Sequence, residues 1–127
     1  MMQGRLDGKV AIVTGAGSVG QGWGNGKAVA TLFAREGAKV VAADINLDAA
    51  LETRDIISRE KGICAVVEAD VSENASVKAL VDRCIETFDR IDILHNNVGI
   101  LETGGPVETS EETWDRINQV NLKSMFL

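Results

Sequence analysis

Between Ala16 and Gly26 the chain places glycine at positions 17, 20, 22, 24 and 26. Where so dense a glycine loop opens a helix, uncovered backbone N–H groups and the positive end of the helix dipole converge on one spot, and missing Cβ atoms let an anion come close. That chemistry suits a pyrophosphate. Asp44, 18 residues after Gly26, supplies a second function, because one carboxylate can accept both hydroxyls of an adenosine ribose. Farther along, Asn96-Asn97-Val98-Gly99 sets two amides at the mouth of an apolar run. An isolated Asn-Asn pair reads as an Asx turn, but in a sheet of order 3-2-1-4 this pair falls opposite the glycine loop.

The elements that must position these groups alternate in period. Lys9 to Gly15 is a β-branched run with charge only at its start, the pattern of a strand buried on both faces. Lys27 to Glu36 reads as a helix stopped by Gly37, and Lys39 to Ala43 as a second buried strand ending on Asp44. Leu47 to Lys61 follows as a helix with Leu47, Ala50, Leu51 and Ile57 on one side, closed by Gly62, and Ile63 to Asp70 as a third strand. Ser72 or Asn74 caps a helix whose Val77, Leu80, Val81, Cys84, Ile85 and Phe88 keep the spacing of one apolar face. Ile91 to Asn96 is the fourth strand, Val98 to Pro106 a loop, and Ser110 opens a last helix running to Leu127. Strand and helix alternating over short connections predict an α/β, doubly wound parallel sheet of order 3-2-1-4. In such sheets ligands bind where the strand order reverses, here between the strands ending at Gly15 and at Asn96-Asn97-Val98-Gly99.

Composition narrows the partners. At 127 residues and 45% hydrophobic content the chain has one domain's length and enough apolar material for a core. Its net charge of −6 argues against a nucleic-acid surface, while backbone amides can still hold a dinucleotide phosphate. No run approaches a membrane span and Met1 to Gly8 lacks a signal pattern, so a cytoplasmic location is expected, with neither membrane nor nucleic acid as partner. Cys64 falls in a strand and Cys84 on an apolar helix face, without Cys-x-x-Cys and with one histidine in the chain. Buried thiols are expected, and no metal site.

Thr14-Gly15 with the glycine loop, Asp44, Asp70-Val71, Asn96-Asn97-Val98-Gly99 and Val120-Asn121-Leu122 together resemble the short-chain dehydrogenases/reductases, in that family's order and over nearly the whole chain. The resemblance implies a Rossmann-type fold and an enzyme moving a hydride between NAD and an alcohol or carbonyl substrate. By it, Gly15, Ser18, Gly24, Asn25 and Gly26 line the pyrophosphate and Asp70-Val71 flank the adenine. It also implies that Asn97, Val98 and Gly99 support the cofactor ribose and the central strand, and that Asn121 kinks its helix and holds a water in a proton relay. NAD is expected over NADP, since Asp44 repels a 2′-phosphate and no arginine stands in the glycine loop or just after Asp44 to offset it.

Two departures from the family pattern stand out. Aligning the first helix makes Gly24-Asn25-Gly26 the second glycine pair and leaves five extra residues within Ala16 to Trp23, with Gly20-Gln21-Gly22 as a competing register. The chain also contains no tyrosine, whereas the family transfers its proton through a Tyr-x-x-x-Lys pair. Residues 1–127 are therefore expected to form the cofactor half of a longer polypeptide, truncated before the later strands and inactive alone; the alternative is a regulatory or scaffold protein that binds NAD without turning it over. The last helix carries Trp114, Ile117, Val120, Met125, Phe126 and Leu127, more apolar surface than four strands cover. Either it packs in a homo-oligomer interface, as the resemblance implies, or it is a core face lacking its partner.

Overall fold

The structure, a computed structural model, describes residues 3–127; Met1 and Met2, the start of the segment that lacks a signal pattern, lie outside the described residues. Four strands, β1 (Val10–Thr14), β2 (Lys39–Asp44), β3 (Ile63–Glu68) and β4 (Ile93–His95), form a parallel sheet of order β3-β2-β1-β4. Between them run α1 (Asn25–Arg35), α2 (Leu47–Arg59) and α3 (Asn74–Phe88). Register pairs Thr14 with Ala43 and Val13 with His95, so the ends of β1, β2 and β4 come level on one rim.

Strand alternation splits the core in two. Val10 and Ile12 point with Val41 and Ala43 toward Leu80 and Cys84 of α3, and Val13 points with Val40 and Ala42 toward Ala30 of α1 and Ile57 of α2. Each central strand is buried on both faces, which is why its sequence is continuously apolar.

Several local expectations are corrected. The turn after α2 is made by Lys61 in a left-handed conformation (φ +65°), not by Gly62, which instead lacks room for a Cβ beside Ile57. Neither Ser72 nor Asn74 caps α3, whose N-cap is Glu73 without a side-chain bond; the Ser72 hydroxyl donates to Asp70 and the Ser76 hydroxyl accepts from the Asp70 N–H. On α3 only Leu80 and Cys84 are buried, whereas Val81 and Ile85 are exposed. β3 stops at Glu68 and β4 spans only three residues on the sheet edge, with Leu94 facing solvent.

The last helix is not continuous. Ser110 caps α4 (Glu111–Asn118) through a bond from the Thr113 N–H (3.1 Å). A π-helical turn at Gln119–Lys123 then interrupts it before the short α5 (Ser124–Phe126). Trp114, Leu122, Met125 and Phe126 along it are exposed. No helix among the described residues is long and apolar enough to cross a membrane.

Candidate nucleotide-binding site

The rim where the strands end is stitched together by polar side chains. The Thr14 hydroxyl donates to the His95 carbonyl (3.3 Å) and accepts from the Asn97 N–H (3.1 Å), while the Asn97 amide donates to the Gly15 carbonyl (3.1 Å). These bonds tie the segments leaving β1 and β4 together beyond the last pair of the ladder, and the chain leaves β1 through Gly15 in the left-handed region (φ +62°).

Gly26 decides the register of the glycine loop. A Cβ there would overlap the Gly15 carbonyl and crowd the Asn97 amide, so α1 can begin against the end of β1 only with glycine at this position. Gly20 and Gly22, by contrast, have positive φ and open space around them, and their segment loops outward. Gly24-Asn25-Gly26 is accordingly the pair that opens α1, and the surplus residues lie in the exposed bulge before it. Gly24 offers no capping side chain, so the first-turn N–H groups of α1, which have no intrahelical acceptor, face the cleft.

Asp44 stands at the tip of β2, half-buried, and ties two backbone segments: one oxygen accepts from the Gly17 N–H (2.9 Å), the other from the Asn46 N–H (2.9 Å). Gly17 approaches the start of α2 so closely that a Cβ would strike Ala49. A carboxylate has about four acceptor positions, which leaves Asp44 capacity for a diol. Asp70, beyond β3, accepts from both the N–H and the hydroxyl of Ser72 (2.9 and 2.6 Å), folding the segment before α3 into a tight turn.

These groups surround one cleft of about 540 Å³, within the range of small-molecule sites. It gathers Gly15, Gly24, Asn25, Gly26, Asp44, Asp70, Val71, Asn97, Val98 and Gly99, ten of the twelve positions singled out from the sequence. The other two stand behind its wall. The Ser18 hydroxyl is taken up by the Gly24 N–H (2.7 Å), closing the bulge on itself. Asn121 lies in the π turn, where its amide accepts from the Ile100 N–H and donates to the Ile100 carbonyl, both at 2.8 Å.

Sequence reading missed Ile45, Ile100, Arg116 and Gln119, which also line the cleft. Arg116, Gln119 and Val120 share one helical face by their spacing, a signal that becomes useful only once α4 is known to cross the cleft. Gln119 reaches the Ser72 carbonyl (3.1 Å), joining the start of the π turn to the segment after β3. A bare helix N-terminus, a close-approach glycine and a carboxylate at the neighbouring strand tip fit the two phosphates and one ribose of a dinucleotide.

Comparison with known proteins agrees with this fold. The family model described as short chain dehydrogenase matches residues 9–127. An uncharacterized oxidoreductase of Thermotoga maritima is 43% identical over 96% of this chain and 46% of its own length, and a cyclohexanol dehydrogenase of Acinetobacter sp. is 39% identical over 99% of this chain and 49% of its own. A crystal structure from Burkholderia xenovorans, provisionally assigned to the short-chain dehydrogenases/reductases, superimposes with a TM-score of 0.93 at 45% identity, covering 97% of this chain and 49% of that one. The chain thus spans about half the length of the relatives it matches, and it belongs to the short-chain dehydrogenase family.

Proposed function

We propose that the whole protein is an NAD-dependent oxidoreductase that moves a hydride between NAD and a small alcohol or carbonyl compound, and that this chain is its cofactor half. The observation that carries this reading is the Asp44 carboxylate standing in the same cleft as the uncapped start of α1. When bound, the nicotinamide ring supplies the hydride acceptor or donor. The chain's own groups bind and orient. N–H groups of Asn25 and Gly26 hold the pyrophosphate where Gly24, its own N–H taken by Ser18, lets it come close, Asp44 accepts from the adenosine ribose, Asp70 and Val71 flank the adenine, and Asn97, Val98 and Gly99 form the floor under the second ribose. Gly15 and Ser18 shape the phosphate loop, Ser18 through its bond to Gly24.

NAD is favoured over NADP because Arg116, the only cleft-lining guanidinium among the described residues, sits on α4, whereas a 2′-phosphate would meet Asp44 and the apolar Ile45 at the tip of β2. Asn121 serves the relay as a positioning residue, since its amide is committed to both backbone groups of Ile100. This chain has no tyrosine, and the proton-transfer pair is assigned to the remainder of the whole protein. Free cysteines and the lack of a membrane-crossing helix among the described residues fit a cytoplasmic protein, and the exposed Trp114, Leu122 and Phe126 fit a homo-oligomer. The relative named for cyclohexanol supports an alcohol as substrate.

Calorimetry of the whole protein with NAD and NADP, followed by turnover assays over a panel of alcohols and carbonyls, tests the reading. NAD binding with nicotinamide reduction by at least one alcohol is expected. A whole protein that binds NAD but reduces it with none of the panel, and oxidises NADH with no carbonyl, would refute the enzymatic half.

A further inference from the structure

The inserted bulge carries an unexpected feature beneath it: a buried cation. Lys27, in the first turn of α1, has a side chain only 4% exposed. A cation is disfavoured there twice over, by burial and by the positive end of the helix dipole, so its surroundings must compensate. Its ammonium donates to the Gly22 carbonyl (3.1 Å) and to Glu52 on α2 (2.8 Å), and lies 5.1 Å from the centre of the Trp23 ring. Gly22 and Trp23 belong to the five surplus residues, and Glu52 to a different helix. Lys27 itself does not reach the cleft, whereas Val19, at the crest of the same bulge and fully exposed, does line it.

We propose that Lys27 is a positioning residue that clamps the inserted segment Val19–Trp23 over the phosphate end of the cleft, and that this clamp sets dinucleotide affinity. The second part rests on the cofactor reading above. The clamp has three holds: the Ser18–Gly24 bond closes the base of the bulge, Lys27 pins its far limb through Gly22, and Glu52 ties that pin to α2. Trp23 covers the ammonium from solvent. Without the pin, a segment with two positive-φ glycines and open space around both would sample many conformations, and a dinucleotide would have to order it on binding.

Lys27→Met keeps the aliphatic stem and removes the charge, leaving Glu52 free to be solvated. In the whole protein it is expected to weaken NAD binding about tenfold by calorimetry, the scale of ordering one loop on binding. Deleting residues 19–23 restores the shorter Thr14-Gly15-x-x-x-Gly24-x-Gly26 loop, and in that background Lys27→Met should leave NAD affinity unchanged. Fluorine NMR of fluorotryptophan-labelled protein, with the Trp23 resonance identified by Trp23→Phe, gives a second reading without cofactor: Lys27→Met should move and broaden that resonance, and Lys27→Arg should restore it in part. An unmoved Trp23 resonance overturns the clamp. An unchanged NAD affinity in the Lys27→Met protein, or an equal loss in the shortened background, overturns its link to the cofactor. A parent that binds no dinucleotide refutes the cofactor reading instead, and the Trp23 resonance still decides the clamp.

Discussion

Replacing Asp44 by alanine while converting Ile45 to arginine should reverse the cofactor preference. In the parent, Asp44 has lone pairs left after its bonds to the Gly17 and Asn46 N–H groups, and two hydroxyls of an adenosine ribose would use them. Hydrogen bonds to a charged acceptor contribute about 1.5–3 kcal/mol each, and the low end applies at a half-buried site, so about 3 kcal/mol or roughly a hundredfold in NAD affinity should be lost. For NADP the sign is opposite, because the change removes like-charge repulsion that reaches about 4 kcal/mol at 4 Å in a surface-like dielectric. The new guanidinium has room, since Ile45 is 66% exposed and already lines the cleft.

The alanine also frees the Gly17 N–H and loosens the glycine loop, which weakens both cofactors alike. The NAD:NADP ratio cancels that loss, so the ratio is the quantity to measure, by calorimetry on both proteins. Asp44→Asn should behave as an intermediate, keeping a carbonyl for Gly17 while removing the charge. A ratio that stays the same in the double variant would show that Asp44 does not face the adenosine ribose, whatever happens to the absolute affinities.

Gly26→Ala should cost about 1–3 kcal/mol of stability by overpacking against the Gly15 carbonyl and the Asn97 amide, and should weaken NAD more than Gly20→Ala, which meets no atom and is strained only by its φ of +76°; equal effects of the two on calorimetric affinity would return the phosphate register to Gly20-Gln21-Gly22. Cys64 is half-buried on β3, unlike the buried Cys84, and this partial burial pushes its thiol up to about 11. The unfolded chain then releases this proton at lower pH than the folded one, so the stability present below about pH 9 should fall by up to about 2–3 kcal/mol as pH rises to about 11. Denaturant titrations of the parent and Cys64→Ala should diverge over that window, and parallel curves would contradict the burial of the thiol.

The sheet order, the two buried central strands and the place of Asp44 were all legible in the residues, because alternation and 3.6-residue spacing are properties of neighbours along the chain. Leu80 and Cys84 are buried as their spacing requires, yet Val81 and Ile85 on the same apolar stripe are exposed, since a period states which face is apolar and not how much of it a partner covers. The same boundary runs through the site. Glycine spacing left two registers open between Ala16 and Gly26, and only the contact of Gly26 with Gly15 and with Asn97, some seventy residues away in sequence, selects one. Lys27 reads as a surface residue opening a helix; it is buried because Trp23 folds back over it and Glu52 arrives from α2. Arg116 and Gln119 are polar positions on an ordinary helix until α4 is laid across the strand ends. Sequence by itself determined which elements form and in what order, since short-range sterics and burial period set those locally. Tertiary structure alone decided which backbones touch, which charge is enclosed and which helix face meets the cleft, because those depend on distances between elements that the chain brings together only when folded.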